Sequence, residues 1–271
     1  FGDGDYEALI DELSADFINV DEVSMVDMQL FNNLLKAIEP GTRLILVGDA
    51  NQLPSVAAGN VLKDIIKSEK IKVVRLTEIF RQARESAIIT NAHKINSGEE
   101  PVMNGKNTDF FFVNAQYAPE VPGKIVELIT KRLPKFTGVD SFSDMQVLTP
   151  MRKGDIGAAG LNKTLQKALN PPSDGKKEYE TSSCTFREGD KVMQIKNNYN
   201  ISWKIENRLG KVIDDGTGIY NGDMGIIKSI NKQAETITVL FDDMRQAVYE
   251  FTALDELELA YAVTIHKSQG S

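Results

Sequence analysis

Two acidic pairs stand where apolar runs end. Phe17-Ile18-Asn19-Val20 leads into Asp21-Glu22, and Leu44-Ile45-Leu46-Val47 leads into Gly48-Asp49. Adjacent carboxylates at such a point suit two tasks: Asp21 can hold a Mg²⁺ ion, often through water, while Glu22 orients a water for attack. The same pair also reads as favourable negative charge at the start of a helix. In Gly48-Asp49-Ala50-Asn51-Gln52-Leu53-Pro54, the Gln52 amide is placed to sense a terminal phosphate and report it to a moving loop, although Gly-Asp closed by proline is also a plain turn. Arg81 follows a predicted domain junction, where a cation reaching across a cleft can contribute roughly 10³ to 10⁵ in rate; most arginines are merely solvated or paired. His266-Lys267-Ser268-Gln269-Gly270 is a donor-rich turn suited to gripping a phosphodiester backbone or a nucleotide, or else a polar surface turn.

These residues need elements to position them. Between the two apolar runs Val26, Leu30, Leu34 and Ile38 recur every four residues, Phe31 and Leu35 widen the stripe, Ser24 and Asp27 can cap its start, and Pro40-Gly41 stops it. Buried strand, helix, buried strand is a βαβ unit, whose ligands bind at the carboxyl ends of the strands, where both acidic pairs fall. A helix over 61–66 and a strand over 73–76 are predicted next, followed by helices carrying Ile88, Ala92 and Ile95, then Ile125, Leu128, Ile129 and Leu133. A strand over 145–148 and a helix on Leu161, Leu165 and Leu169, closed by Asn170-Pro171-Pro172, complete a second α/β domain that begins near Leu76. From about Thr181 short alternating segments at 191–195, 225–230, 236–241 and 247–251 predict a small antiparallel barrel, with residues 201–218 as a polar loop. The apolar run 259–266 predicts a central strand that returns the chain to the second α/β domain, making the barrel an insertion.

Composition bounds the rest. At 271 residues with 41% hydrophobic content, the chain is long enough for roughly two domains. No run of about 18 apolar residues and no basic-then-apolar start is present, so a cytoplasmic protein without a membrane span is expected. Cys184 has no cysteine partner, and with only His93 and His266 beside it no Cys/His metal cage is expected. A net charge of −8 argues against coating nucleic acid by bulk electrostatics, though not against a local basic groove. Both ends are abrupt, as in a piece of a longer protein.

Val20-Asp21-Glu22-Val23-Ser24-Met25, Gly48-Asp49-Ala50-Asn51-Gln52-Leu53-Pro54-Ser55-Val56, Leu76-Thr77-Glu78-Ile79-Phe80-Arg81-Gln82 and Thr264-Ile265-His266-Lys267-Ser268-Gln269-Gly270 resemble, in order and spacing, motifs II, III, IV and V of superfamily 1 helicases. With Val147-Leu148-Thr149-Pro150-Met151, Leu161-Asn162 and Gly189-Asp190-Lys191-Val192-Met193-Gln194, nearly the whole chain resembles the RecD-like DNA helicases, the family of the exodeoxyribonuclease V alpha chain. The resemblance implies P-loop NTPase (RecA-like) domains, the first partial over 1–75 and the second over 76–180 and 256–271, with an SH3-like barrel inserted at 181–255. It implies ATP and Mg²⁺ as cofactors, Asp21 as the Mg²⁺ ligand, Glu22 as catalytic base, Gln52 and Arg81 on the γ-phosphate, and Gly270 among the nucleotide contacts. Thr149, Asn162, Thr264, His266, Lys267 and Gln269 would face DNA. Single-stranded DNA or duplex ends are the implied partners, with RecB-like and RecC-like subunits as candidates, and 5′ to 3′ movement in recombination and repair as the implied activity.

The chain departs from the family in two respects. It contains no Gly-x-x-x-x-Gly-Lys-Ser/Thr stretch and no match to the motif VI arginine, so by itself it is expected to bind ATP weakly and not to hydrolyse it. A non-enzymatic DNA- or partner-binding module is the alternative, and a Mg²⁺-dependent nuclease using Asp21, Glu22 and Asp49 a third. Trp203 and Tyr199 are the nearest stacking candidates in the barrel, each expected to pack instead against the 201–218 loop.

Overall fold

The computed structural model describes residues 13–76, 86–103, 105 and 108–269. The chain divides into two compact units, residues 1–113 and 114–271.

In the first unit β1 (Phe17–Val20) and β2 (Arg43–Leu46) run parallel, from Phe17 opposite Arg43 to Val20 opposite Leu46. A 3₁₀ turn (Val23–Met25) and α1 (Met28–Ala37) connect them, so the expected βαβ unit is present. Asp27 is the cap of α1, accepting the Leu30 N–H at 2.7 Å. The strands are not buried as expected: Ile45 is 47% and Val47 45% exposed, because among the described residues each strand has one neighbour and one of its faces lacks a covering layer. α2 (Val61–Ser68) follows as predicted. Residues 73–76 form no strand; Val74 and Leu76 are exposed, and an apolar run with no ladder partner among the described residues has nothing to hold it extended. α3 (Ala87–Asn96) begins at Ser86, whose hydroxyl accepts the Ile89 N–H and donates to Asp109 at 2.6 Å.

The second unit opens with α4 (Val121–Glu127), a π-helical stretch (Leu128–Arg132) and α5 (Leu133–Thr137). Pro134 lacks an N–H, and the widened turn lets the Leu133 N–H reach the Leu128 carbonyl. β3 (Val147–Thr149) and α6 (Ala158–Leu169) precede a hairpin of β4 (Glu178–Glu180) and β5 (Thr185–Arg187). Then come β6 (Lys191–Gln194), β7 (Asn198–Glu206), β8 (Val212–Ile219), β9 (Met224–Asn231), β10 (Thr236–Phe241), β11 (Gln246–Glu250) and β12 (Leu257–Leu259). They build a seven-stranded antiparallel sheet ordered β12-β6-β9-β10-β11-β7-β8. β13 (Ala262–Thr264) leaves that sheet to pair in parallel with β3.

Two expectations need correction here. Residues 201–218 are not a loop but most of the long β7–β8 hairpin, in which Ile201, Trp203 and Ile205 point inward and alternate with polar residues. Its tip is closed by the Asn207 side chain, which accepts N–H groups from Leu209 at 2.9 Å and Lys211 at 3.0 Å. The run 259–266 is two strands rather than one. Asn162 on α6 donates to the carbonyls of Leu259 and Ala262 and accepts the Ala262 N–H, each at 2.8 Å, drawing the chain out of one ladder and into the other.

Leu161 and Leu165 of α6 pack with Phe186, Val192, Ile219, Ile227, Ile237, Val239 and Tyr249 in the main core. Among them sits Asp190, fully buried, its carboxylate accepting from Gln166 at 2.6 Å, the Arg187 N–H at 2.7 Å, and Asn170 and the Tyr261 hydroxyl at 2.8 Å. Burial pushes its pKa up while these hydrogen bonds pull it down. Asp190→Ala should lower stability by about 3 kcal/mol, because it leaves several buried donors unpaired, whereas Asp174→Ala on the surface should stay within about 0.5 kcal/mol. Urea midpoints of the two variants check this.

Candidate functional site

The parallel ladder of the first unit runs past the ends of its strands. The Val47 N–H donates to the Val20 carbonyl at 2.8 Å, and the Val23 N–H to the Val47 carbonyl at 3.0 Å. Asp21-Glu22 is thereby fixed beside Val47-Gly48. A Cβ on Gly48 would lie 3.0 Å from Leu62 Cδ2 and 3.1 Å from the backbone nitrogens of Val23 and Ser24, so only glycine fits without displacement.

Glu22 has left-handed backbone angles, φ 52° and ψ 37°, and its N–H donates to Asp21 Oδ1 at 2.8 Å. A β-carbon-bearing residue held there stores strain, a feature that clusters at functional positions. Both carboxylates are exposed. Ser24 is buried, and its hydroxyl donates to Gln52 Oε1 at 3.4 Å, tying the acidic turn to the amide of the neighbouring segment. Asp49 is engaged in its own turn, accepting the Asn51 N–H at 2.8 Å.

Among the described residues no three His, Cys, Asp or Glu side chains gather as a metal-ligand set. Hard, exposed oxygens from one or two carboxylates are nevertheless what Mg²⁺ takes from a protein when it retains waters and substrate phosphates as its other ligands, so Asp21 and Glu22 fit that ion. Arg81 and Gly270 lie outside the described residues.

The second group of predicted residues lies in the second unit, at the ends of β3 and β13. Thr149 and Asn162, expected at DNA, are buried. The Thr149 hydroxyl donates to the Ile156 carbonyl at 2.9 Å, and both ends of the Asn162 amide are engaged with backbone, so these two position the chain instead of facing a ligand. Beyond them the Ile265 N–H donates to the Thr149 carbonyl at 3.1 Å, bringing the turn after β13 beside the segment after β3. Thr264, half-buried, accepts the Lys267 N–H at 3.4 Å, and the Gln269 N–H donates to the His266 carbonyl at 3.2 Å.

Lys267 Nζ reaches Glu258 Oε2 at 2.7 Å, and Arg152 reaches Glu258 Oε1 at 2.8 Å. Arg152 and Glu258 escaped the sequence reading. The one available signal was Arg152-Lys153, a basic pair directly after Thr149-Pro150-Met151. Trp203 packs within the sheet rather than against a loop: Arg245 lies 5.8 Å from its ring centroid, and a Cβ on Gly216 would meet the ring at 2.7 Å. Tyr199 is exposed and meets Tyr220 edge-on at 5.7 Å. Among the described residues no helix is long and apolar enough to cross a membrane.

Residues 161–241 match the family described as ATP-dependent RecD-like DNA helicase SH3 domain, and residues 9–111 match the AAA domain. The ATP-dependent RecD2 DNA helicase of Deinococcus radiodurans is 35% identical over 258 residues, covering 94% of this chain and 31% of that protein. The RecBCD enzyme subunit RecD of Mycolicibacterium smegmatis is 27% identical over 274 residues, covering 96% of this chain and 44% of that one. A crystal structure of Pif1 helicase from Bacteroides in complex with ADP-AlF3 and ssDNA aligns at 18% identity and a TM-score of 0.49, over 97% of this chain and 66% of that one. The chain thus spans well under two thirds of the length of either curated relative. Residues that match an AAA domain are thus followed by residues that match the SH3 domain of RecD-like DNA helicases, and 94% of the chain is similar to the Deinococcus RecD2 helicase.

Proposed function

We propose that the whole protein is an ATP-dependent DNA helicase that moves 5′ to 3′ on single-stranded DNA, in the cytoplasm, in recombination and repair. The observation that carries this reading is the link between the Asp21-Glu22 turn and Gln52 through the buried Ser24 hydroxyl, within the segment that matches the AAA domain. Asp21 holds Mg²⁺, which when bound neutralises phosphate charge. Glu22 orients and deprotonates the attacking water, and Gln52 contacts the γ-phosphate; a change at that phosphate then reaches the Ser24 turn through one hydrogen bond. Arg81 and Gly270 complete the nucleotide contacts. The motor halves are residues 1–75 and 76–180 with 256–271, and the barrel is 181–255. Thr264, His266, Lys267 and Gln269 hold DNA at the end of the β3–β13 pair, and Thr149 and Asn162 set the position of that pair.

These 271 residues hold no Gly-x-x-x-x-Gly-Lys-Ser/Thr stretch and no match to the motif VI arginine, so the chain by itself does not hydrolyse ATP in this proposal. A second reading, a module that docks onto RecB-like and RecC-like subunits, draws on the similarity to the Mycolicibacterium smegmatis protein, a RecBCD enzyme subunit.

A protein spanning the full length of the Deinococcus relative should hydrolyse ATP faster when single-stranded DNA is added, with Glu22→Gln lowering kcat by about 10² or more, while the chain alone stays at background. A folded, inactive full-length protein would leave the docking module as the better reading. Glu22→Gly should raise the urea midpoint by an amount equivalent to about 0.5–1 kcal/mol, because glycine adopts the left-handed conformation without strain, and should lose the ATPase at the same time. A lower midpoint would show that the Glu22 backbone is not under strain.

A further inference from the structure

We propose that Glu258 is a built-in competitor for DNA phosphate, holding two cations in the free protein and giving them up when a strand binds. The inference rests on the DNA-binding reading of the turn after β13. Glu258 sits on β12, and its two carboxylate oxygens are taken by cations from different segments: Arg152, just after β3, at 2.8 Å, and Lys267, just after β13, at 2.7 Å. The parallel pairing of β3 with β13 is what brings both segments to one edge. A carboxylate bridging a guanidinium and an ammonium occupies the place of a phosphodiester, whose two free oxygens present the same charge to the same donors.

The cluster is within reach of solvent. The Arg152 side chain is 71% exposed, Glu258 36% and Lys267 25%. Exposed ion pairs are weak and readily exchanged, and a polyanionic strand that releases counterions on binding can displace a single carboxylate. In a chain of net charge −8, this device supplies a local grip only when a phosphate is present to replace Glu258, keeping binding weak enough to be broken as a strand moves.

The test is fluorescence anisotropy of a labelled single-stranded oligodeoxythymidylate with the chain and its variants over a series of NaCl concentrations. Glu258→Gln should tighten binding about three- to tenfold at low salt and steepen the plot of log affinity against log salt by about 0.7 to 1.4. Glu258→Ala, which removes the carboxylate without leaving an amide in its place, should give the same gain. Placed in an Arg152→Gln, Lys267→Gln background, Glu258→Gln should give no gain, because the cations it frees are gone. Wild-type binding that Glu258→Gln leaves unchanged or weakens would overturn the competitor role while leaving the DNA reading intact. Absence of binding in the wild type and in every variant would overturn both.

Discussion

The amides of α6 hold the second unit together at the point where its seven-stranded sheet and the β3–β13 pair meet. Asn162, Gln166 and Asn170 recur every four residues and so line one face of the helix, beside the apolar face of Leu161 and Leu165. Asn162 grips the crossing from β12 to β13, Gln166 reaches the Thr185 carbonyl at 2.8 Å and the Asp190 carboxylate, and Asn170 reaches Asp190 and the Glu188 carbonyl. Polar groups are tolerated in such a core only when their hydrogen bonds are complete. Among the described residues no buried side-chain nitrogen or oxygen lacks a partner. The SH3-domain match begins on this helix, at residue 161, and runs to residue 241, at the end of β10.

The consequence for function is placement. With the β12–β13 crossing fixed, Glu258 and the 265–269 turn are held at set positions, and Arg152 joins them because β3 is the parallel partner of β13. The first unit reaches a similar end with backbone contacts and one side-chain link, from Ser24 to Gln52. Two hydrogen bonds beyond the ends of β1 and β2 and the tight approach at Gly48 hold the acidic turn and the Gln52 segment side by side.

Much of this was legible in the sequence where local pattern decides the outcome. The i, i+4 apolar stripe gave α1, Leu161-Leu165-Leu169 gave α6, and β10 begins and ends where alternation places it. The failures share a physical cause, namely dependence on partners far along the chain. Residues 73–76 have strand composition but no strand to pair with among the described residues. Ile201, Trp203 and Ile205 carry a period of two that their polar neighbours masked, and the hairpin becomes evident only once β11 lies against β7. Thr149 and Asn162 were recognised by type, but type does not say which way a side chain faces. Arg152 and Glu258 are 106 residues apart, and no spacing rule joins them.

The proposed sites answer to two ligands, the acidic turn to nucleotide and the β3–β13 edge to DNA. Hydrogen–deuterium exchange on the full-length protein tests that division most directly. Adding ATP with Mg²⁺ should protect amides in 20–25 and 48–52, and adding single-stranded oligodeoxythymidylate should protect 150–153 and 264–269. Protection of neither pair of segments, with exchange changing elsewhere on ligand addition, would contradict the assignment of both sites.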